Sequence, residues 1–322
     1  MDTEIDFIAD EQPEKAFAGI IPPVPTPFVD DHIALNHFAE NLARLHEYAL
    51  GGYLILGSNG EANFLSEREK LDLLRIAWAE TPREKVLLAG TGLESTAATC
   101  EFTKKVADCG VDAALVLTPG FYRPTTAGLR AHFEAVADAS PIPILLYNVP
   151  KYTGINLPVE CALELIKHPN IIGMKDSAGE LGQLVELNEK LPDDAALFLG
   201  SDKVLLAGLA HGVSGGILAI ANIIPQQCID LYRAVQEGNM ESARTIANRI
   251  APVGRILIGK YGVPGLKAGQ DHLGLSGGKP RLPLLSLEEK QREEIAAVLD
   301  KALNVDALKE PDLDFDANIK KI

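Results

Sequence analysis

A lysine and a tyrosine stand at the ends of two short apolar runs, and together they could perform amine chemistry on a carbonyl group. Lys175 follows an apolar run at residues 171–174, and Tyr147 closes one that begins at residue 144. Because an isolated ammonium is costly to bury, such a lysine is either paired with a carboxylate or held as a neutral, nucleophilic amine. A nearby phenol can move protons to and from the atoms that the amine attacks. The two residues predict a covalent imine centre, or else a salt bridge from Lys175 to Asp176 and an ordinary core tyrosine.

A polar turn at residues 57–61, with the sequence Gly-Ser-Asn-Gly-Glu, follows a third apolar run. Its two glycines permit a tight turn in which the hydroxyl of Ser58, the side chain of Asn59 and backbone N–H groups face an anion. An ordinary connection between a strand and a helix could have the same composition. The turn is therefore a candidate site for a substrate carboxylate.

Other motifs in the chain do not favour a metal or a nucleotide. The seven histidines show no spacing typical of metal ligands. Residues 254–260 spell G-x-x-x-x-G-K, but Tyr261 stands where a phosphate-binding loop needs serine or threonine. We therefore expect a reaction that needs no metal and no cofactor.

These side chains must be positioned by the elements around them, and apolar runs alternate with amphipathic helical stretches eight times along the chain. Runs that are apolar throughout are typical of parallel strands covered by helices. The predicted strands are 19–21, 53–56, 86–89, 113–117, 144–147, 171–174, 197–199 and 215–219. Eight such units predict a (β/α)8 barrel, with an open doubly wound sheet as the alternative. In a barrel, catalytic side chains gather at the carboxyl ends of the strands, where Lys175, Tyr147 and the polar turn all fall.

The alternation stops near residue 238, and three helical stretches follow without strands between them. We expect a flexible N-terminal tail at residues 1–14, the barrel at 15–238, a helical C-terminal region at 239–306 and a C-terminal tail at 307–322.

The composition limits the partners of this chain. Its 45 acidic and 30 basic residues give a net charge of −15, which is unfavourable for binding a nucleic-acid backbone. No apolar run reaches the roughly 18 residues of a membrane span. The four cysteines form no C-x-x-C pair and fit reduced thiols. We expect a cytoplasmic enzyme that binds a small molecule and neither nucleic acid nor a membrane.

Taken together, the segments at 57–61, 117–119, 147–150 and 173–177 resemble the dihydrodipicolinate synthase / N-acetylneuraminate lyase family of class I aldolases. The likeness extends over residues 19–285, in the family's order and spacing. It implies that Lys175 forms a Schiff base with a 2-oxo acid, that Tyr147 and Ser58 relay protons, and that Ser58 and Asn59 bind the carboxylate. It also implies a homo-oligomer, either a tetramer or a dimer. Further substrate contacts are expected from Tyr122, Ser177, Ser201, Gly216 and Ile217.

Within the family, the likeness is greatest to the 4-hydroxy-2-oxoglutarate aldolases, which implies cleavage of that substrate to pyruvate and glyoxylate. Ser58 and Asn59 stand where synthases usually have two threonines. Synthases also use an arginine to bind the carboxylate of aspartate semialdehyde, and Tyr152 occupies that position. Phe121 stands where the family commonly has a relay tyrosine. Either Tyr122 acts from the next position, or the relay consists of Ser58 and Tyr147 alone.

Other functions stay open. Enzymes of the same family synthesise dihydrodipicolinate from pyruvate and aspartate semialdehyde, or cleave 2-keto-3-deoxy sugar acids. A dehydratase would use the same imine without breaking a carbon–carbon bond. A barrel that only binds or regulates would have no need of the pair formed by Lys175 and Tyr147.

Overall fold

The computed structural model describes residues 17–303, so the two predicted tails at 1–14 and 307–322 lie outside the described residues. The strands in this range are, in chain order, β1 (Gly19–Ile21), β2 (Phe28–Val29), β3 (His32–Ile33), β4 (Gly52–Ile55), β5 (Val86–Gly90), β6 (Ala113–Leu117), β7 (Ile144–Asn148), β8 (Ile171–Asp176), β9 (Ala196–Leu199) and β10 (Gly215–Ile217). All but β2 and β3 belong to one eight-stranded parallel sheet, whereas β2 and β3 form a small antiparallel hairpin that the sequence did not indicate.

The sheet closes on itself. Its strand order runs from β1 through β10, β9, β8, β7, β6 and β5 to β4. Strand β4, the last in this order, is hydrogen-bonded to the segment just after β1. Leu54 N–H donates to Pro22 O at 3.0 Å, and Leu54 O accepts from Val24 N–H at 2.9 Å. The predicted (β/α)8 barrel is therefore confirmed, and the alternative of an open sheet is wrong.

Helices separate the barrel strands and continue beyond the last of them. They are α1 (Leu35–His46), α2 (Glu67–Glu80), α3 (Thr96–Ala107), α4 (Thr126–Ala139), α5 (Pro150–Thr153), α6 (Val159–Ile166), α7 (Leu181–Lys190), α8 (Leu205–Ala210), α9 (Pro225–Gln236), α10 (Met240–Val253), α11 (Gly262–His272) and α12 (Glu289–Leu303). The start of α2 shows how the sequence sets such a boundary. Ser66 and Glu69 form a reciprocal capping box, which satisfies two amides at the helix end.

Two apolar cores explain the alternation of side chains along each strand. Successive residues of a strand point to opposite faces, so one set faces the helices and the other the barrel interior. Leu146 and Met174 pack in the outer core against the helices. Their neighbour Tyr147 packs in the interior with Phe198 and Ile217. The same alternation turns Lys175 inward.

The helical C-terminal region supplies α10, α11 and α12, as the sequence predicted. Between α10 and α11 the chain forms a π-helical segment, Gly254–Lys260. It begins two residues after Pro252, which has no N–H to donate to the preceding turn. None of the helices in residues 17–303 is both long and apolar enough to cross a membrane.

Candidate active site

Lys175 lies within the barrel, near the carboxyl end of β8. Its side chain is only 3% exposed, and its backbone pairs with Tyr147 on one side and Phe198 on the other. The Lys175 Nζ lies 4.3 Å from the centroid of the Tyr147 ring. No carboxylate among residues 17–303 forms an ion pair with this amine. A buried amine so placed, without an ion pair to a carboxylate, is available to attack a carbonyl carbon.

The salt bridge from Lys175 to Asp176 is absent, because the two side chains lie on opposite faces of β8. The Asp176 carboxylate accepts hydrogen bonds from the Ala178 N–H at 2.8 Å and from the side-chain amides of Asn148 at 3.1 Å and Gln183 at 3.4 Å. Burial raises the pKa of Asp176, and these three hydrogen bonds oppose the rise. Asp176 therefore ties the ends of β7 and β8 to the loop that follows.

The polar turn predicted at 57–61 is a single 3₁₀ turn, Ser58–Gly60, at the end of the segment that leaves β4. It is closed by the Gly60 N–H, which donates to Gly57 O at 2.9 Å. The first amides of such a turn have no partner within it, so they are available to an anion. Ser58 forms part of the wall of the main cavity, whereas Asn59 is half-buried and lies outside that wall.

The main cavity has a volume of about 610 Å³ and opens beside the carboxyl ends of the strands. Ser58 and Tyr147, the predicted relay pair, both line it. Lys175 is not part of its wall, but its Nζ lies 4.3 Å from the centroid of the Tyr147 ring. Lys70 and Lys151 are its lysines, and Tyr152 lies beside Lys151 in the wall. Glu61 and Glu94 also line it, so the wall carries both signs of charge, and the space is large enough for a small substrate beside Tyr147.

The remaining residues predicted to contact the substrate lie in different places around Lys175 and Tyr147. The Ser177 hydroxyl lies against Gly200, close to the Lys175 side chain, and Ser201 lies beside Gly179. Ile217 packs in the barrel interior with Tyr147. Gly216 lies in the middle of β10 and pairs with Ile20 on one side and Leu199 on the other. A Cβ added there would meet Leu218 and Leu205, on the helix side of the sheet. Only its backbone could contribute to a site inside the barrel.

Tyr122 does not reach the cavity within a single chain. Its side chain is 86% exposed, and its ring packs edge-on against Phe121 with centroids 4.9 Å apart. Phe121 is 77% exposed, yet it forms part of the cavity wall. Within one chain, the exposed loop turns the Tyr122 ring outward, away from the cavity. The predicted contact between Tyr122 and the substrate therefore stays a prediction.

The C-terminal region forms part of the cavity wall, and the sequence did not indicate this contribution. The wall includes Tyr261, Val263 and Pro264 from the start of α11, and Leu284 from the following loop. These residues are far from the strand ends in the chain, and their types carry no catalytic signal. Among residues 17–303, no group of three or more His, Cys, Asp and Glu side chains is placed to hold a metal ion.

The barrel places a buried lysine and a tyrosine at adjacent strand ends, an arrangement suited to amine chemistry on a carbonyl group. A model of the dihydrodipicolinate synthetase family matches residues 16–302, and the chain belongs to this family of pyruvate-dependent lyases that act through a Schiff base. The family expected from the sequence is thereby confirmed.

Relatives with established names cover most of the chain. This chain is 38% identical over 285 residues to the 4-hydroxy-tetrahydrodipicolinate synthase of Archaeoglobus fulgidus. The match covers 88% of this chain and 97% of the relative. The enzyme of the same name from Methanospirillum hungatei is 35% identical over 289 residues, covering 88% and 99%. The solved structure of this enzyme from Methylacidiphilum fumariolicum superposes with a TM-score of 0.85 at 29% identity, covering 89% of this chain and 96% of that one. None of the three supports the finer likeness to 4-hydroxy-2-oxoglutarate aldolases.

Proposed function

We propose that Lys175 forms the Schiff base of this enzyme and that the chain cleaves a 4-hydroxy-2-oxo acid to pyruvate and an aldehyde. One observation supports this most strongly: the buried Lys175 amine, without an ion-pair partner in residues 17–303, lies 4.3 Å from the centroid of the Tyr147 ring. The Tyr147 side chain in turn lines the cavity together with Ser58.

In the proposed reaction, neutral Lys175 attacks the C2 carbonyl carbon of the substrate and forms a carbinolamine. Tyr147 passes protons to the C2 hydroxyl, which leaves as water and yields an iminium. Ser58 and Asn59, with the free amides of their turn, bind the C1 carboxylate, and Ser177 assists beside Lys175. A carboxylate so bound lies at a fixed distance from the amine, which lowers the entropic cost of the attack.

The iminium then accepts the electrons of the C3–C4 bond. Tyr147, with Ser58, takes the proton of the 4-hydroxyl group as the bond breaks, the aldehyde leaves, and an enamine of pyruvate stays on Lys175. Protonation of the enamine at C3 and addition of water to the iminium release pyruvate and restore the amine. No cofactor is needed, because the iminium itself withdraws the electrons.

Reduction with borohydride in the presence of pyruvate tests the covalent step. We expect it to inactivate the enzyme and to add a pyruvate-derived mass to Lys175, since only an imine is reduced to a stable amine. Peptide mass spectrometry identifies the site. Lys85 and Lys267 are also buried, so they serve as internal comparisons that should stay unmodified. An adduct on another lysine, or an active enzyme without any adduct, would contradict the assignment.

For the aldehyde, we propose glyoxylate, so that the substrate is 4-hydroxy-2-oxoglutarate. The second carboxylate of this substrate needs donors, and the candidates are Ser201 and the backbone at Gly215 and Gly216, with Ile217 as an apolar neighbour of Tyr147. The absence of an arginine supports this choice over the semialdehyde, because Tyr152 stands in the arginine position and has no positive charge. A carboxylate left without a cationic partner binds poorly in a closed site.

Synthesis of dihydrodipicolinate is the second candidate, and the names of the relatives favour it directly. The Archaeoglobus fulgidus and Methanospirillum hungatei relatives are both 4-hydroxy-tetrahydrodipicolinate synthases, at 38% and 35% identity. Lys151, which lies in the cavity wall beside Tyr152, would have to supply the missing positive charge. Under this candidate, pyruvate is bound at the same lysine and the enamine attacks the semialdehyde.

Side-by-side kinetics on both substrates separate the two candidates. We expect kcat/KM for cleavage of 4-hydroxy-2-oxoglutarate to exceed that for condensation of pyruvate with aspartate semialdehyde by at least about tenfold, equal to roughly 1.4 kcal/mol. The variant Tyr152→Arg should narrow this ratio by improving the condensation, because it restores the charge at that position. Equal or greater efficiency of the unaltered enzyme with the semialdehyde would establish the synthase instead.

A further inference from the structure

A buried ion pair lies directly beneath the turn proposed to bind the substrate carboxylate. Lys267 Nζ lies 2.6 Å from Glu61 Oε1, and both side chains are only 1% exposed. Lys267 also donates to Lys279 O at 3.1 Å and lies over the Phe28 ring, 4.4 Å from its centroid. The other oxygen of Glu61 accepts the backbone N–H of Arg281 at 2.8 Å, across 220 residues of chain. Both carboxylate oxygens are thus bound by the C-terminal region.

Glu61 is also the residue at which the turn ends. Its φ of 56° lies in the left-handed region, and its N–H donates to Ser58 O at 3.2 Å. A Cβ lies too close to the following carbonyl oxygen in this region, so glycine would be the favoured type. The presence of glutamate at this position indicates that its side chain is needed. Because that side chain is held by Lys267 and Arg281, the end of the turn is held with it.

The ion pair has an electrostatic role as well. Glu61 forms part of the cavity wall next to Ser58, where a substrate carboxylate is proposed to bind. An unpaired carboxylate at this place would repel that substrate, since charges interact strongly where water is excluded. The Lys267 ammonium removes this repulsion without entering the cavity wall itself. A neutral residue in place of glutamate would avoid the repulsion, but it would lose the contact that holds the turn.

Buried ion pairs are not a strong source of stability. A well-packed apolar pair of similar size is often as stable or more so, whereas removal of one partner alone is strongly destabilising. A role in placing the turn accounts for a charged pair here better than a role in stability alone. Thr26 supports the turn from the other side, where its hydroxyl donates to Gly60 O at 2.7 Å.

We infer that Glu61 and Lys267 are positioning residues for the bound 2-oxo acid: their ion pair fixes the Ser58–Gly60 turn against the C-terminal region and neutralises the carboxylate beside the substrate site. This inference rests on the proposed function, in which that turn binds the C1 carboxylate. It gives the C-terminal region a direct part in substrate binding, although neither residue touches the reacting atoms.

The test measures the pyruvate concentration that half-saturates borohydride-dependent labelling of Lys175, together with the thermal unfolding midpoint. For Lys267→Met we expect the half-saturating concentration to rise at least about tenfold, because Glu61 is left unpaired beside the substrate. Lys85→Met is the matched control. Lys85 is also a buried lysine, at 9% exposure, but it donates to Tyr48 O at 2.8 Å, near the amino ends of the strands. It should lower the unfolding midpoint and leave the half-saturating concentration within about twofold of the original.

A second variant keeps the test decisive if Lys267→Met does not fold. The double variant Glu61→Gln with Lys267→Met carries no charge at either position, so no buried charge is left without a partner. We therefore expect a folded protein with an unfolding midpoint near the original. Its half-saturating concentration should still be at least about threefold higher, because the turn is no longer held by the ion pair. A folded double variant that binds pyruvate as the original chain does would overturn the inference.

Ser58→Ala distinguishes this failure from a failure of the proposed function. If Ser58→Ala leaves the half-saturating concentration unchanged while Lys175 is still labelled, the turn does not bind the carboxylate and the proposed assignment of Ser58 is wrong. If Ser58→Ala raises that concentration but the folded double variant does not, the proposed assignment stands and the positioning role of the ion pair is refuted.

Discussion

Gly200 is a position where one added methyl group should disturb Lys175, the proposed Schiff-base lysine, directly. Gly200 follows β9, and its N–H donates to Asp176 O at 2.7 Å, which holds its backbone against β8. A Cβ at Gly200 would overlap Ser177 Oγ, and it would lie 2.9 Å from Ser177 Cβ and 3.0 Å from Lys175 Cε. Its φ is not in the left-handed region, so Gly200→Ala tests the lack of space and not backbone strain.

The expected magnitude follows from these contacts. The Ser177 hydroxyl can rotate away, but the contacts with Ser177 Cβ and Lys175 Cε persist because both backbones are held. Lys175 pairs with Phe198 within the sheet, and the Ser177 N–H donates to Asn148 O at 2.8 Å. Overpacking of this kind costs about 1–3 kcal/mol of stability. The Lys175 stem must also shift, and a misplacement of about 1 Å at a reacting group can cost 10²-fold in rate. We therefore expect kcat to fall by roughly 10- to 100-fold in a barrel that stays folded.

Pyruvate release measures the rate, and far-ultraviolet circular dichroism checks the fold. Gly182→Ala is the matched control, because Gly182 lies in α7 and an added Cβ would meet no atom within 4 Å. It should keep full activity and gain slightly in stability, since alanine favours a helix over glycine. A Gly200→Ala enzyme with kcat within threefold of the original would refute the placement of Lys175 beside Gly200, as would an equal loss in Gly182→Ala.

Two further predictions concern the proton relay and acid stability. Tyr147→Phe should lose about 10²- to 10⁴-fold in kcat while keeping its fold, because proton transfer by a side chain contributes that much. Pyruvate release measures this loss. A loss below threefold would show that Tyr147 is an ordinary core residue. Hydrogen bonds from the Arg281 guanidinium lower the pKa of Glu69 from 4.5 to about 2, so its contribution to stability is complete above 4.5 and declines as pH falls toward 2. Allowing for partial exposure, Glu69→Gln should lower the free energy of unfolding by about 2 kcal/mol at pH 7 and by less than half of that at pH 3. Urea titrations at both pH values measure the difference, and a loss that is equal at the two would contradict this role of Arg281.

The barrel could be predicted because its signal is local. Parallel strands buried beneath helices are apolar on both faces, so each strand appears as a short apolar run, and the eight runs recur at the spacing of βα units. Lys175 and Tyr147 stand at the ends of two such runs, which places them at the carboxyl ends of the barrel strands, where catalytic side chains gather. Their roles were predicted from the family resemblance and not from this position alone. Strand ends were less well determined: β8 continues through Lys175 to Asp176, and β10 stops at Ile217, because pairing with neighbouring strands sets where each ends.

The wall of the cavity and the fixing of its turn depended on contacts between distant parts of the chain. Nothing in the types or spacing of Tyr261 and Leu284 indicates that they face the same space as Ser58. The ion pair between Glu61 and Lys267 gave no pattern either, because two charged residues so far apart in the chain resemble ordinary surface positions until folding buries both. The Tyr122 ring was expected in the site, and within one chain it is exposed, because the loop after β6 turns it outward. Periodicity reports which face of an element is buried, whereas the partner across that face is decided by how the elements pack.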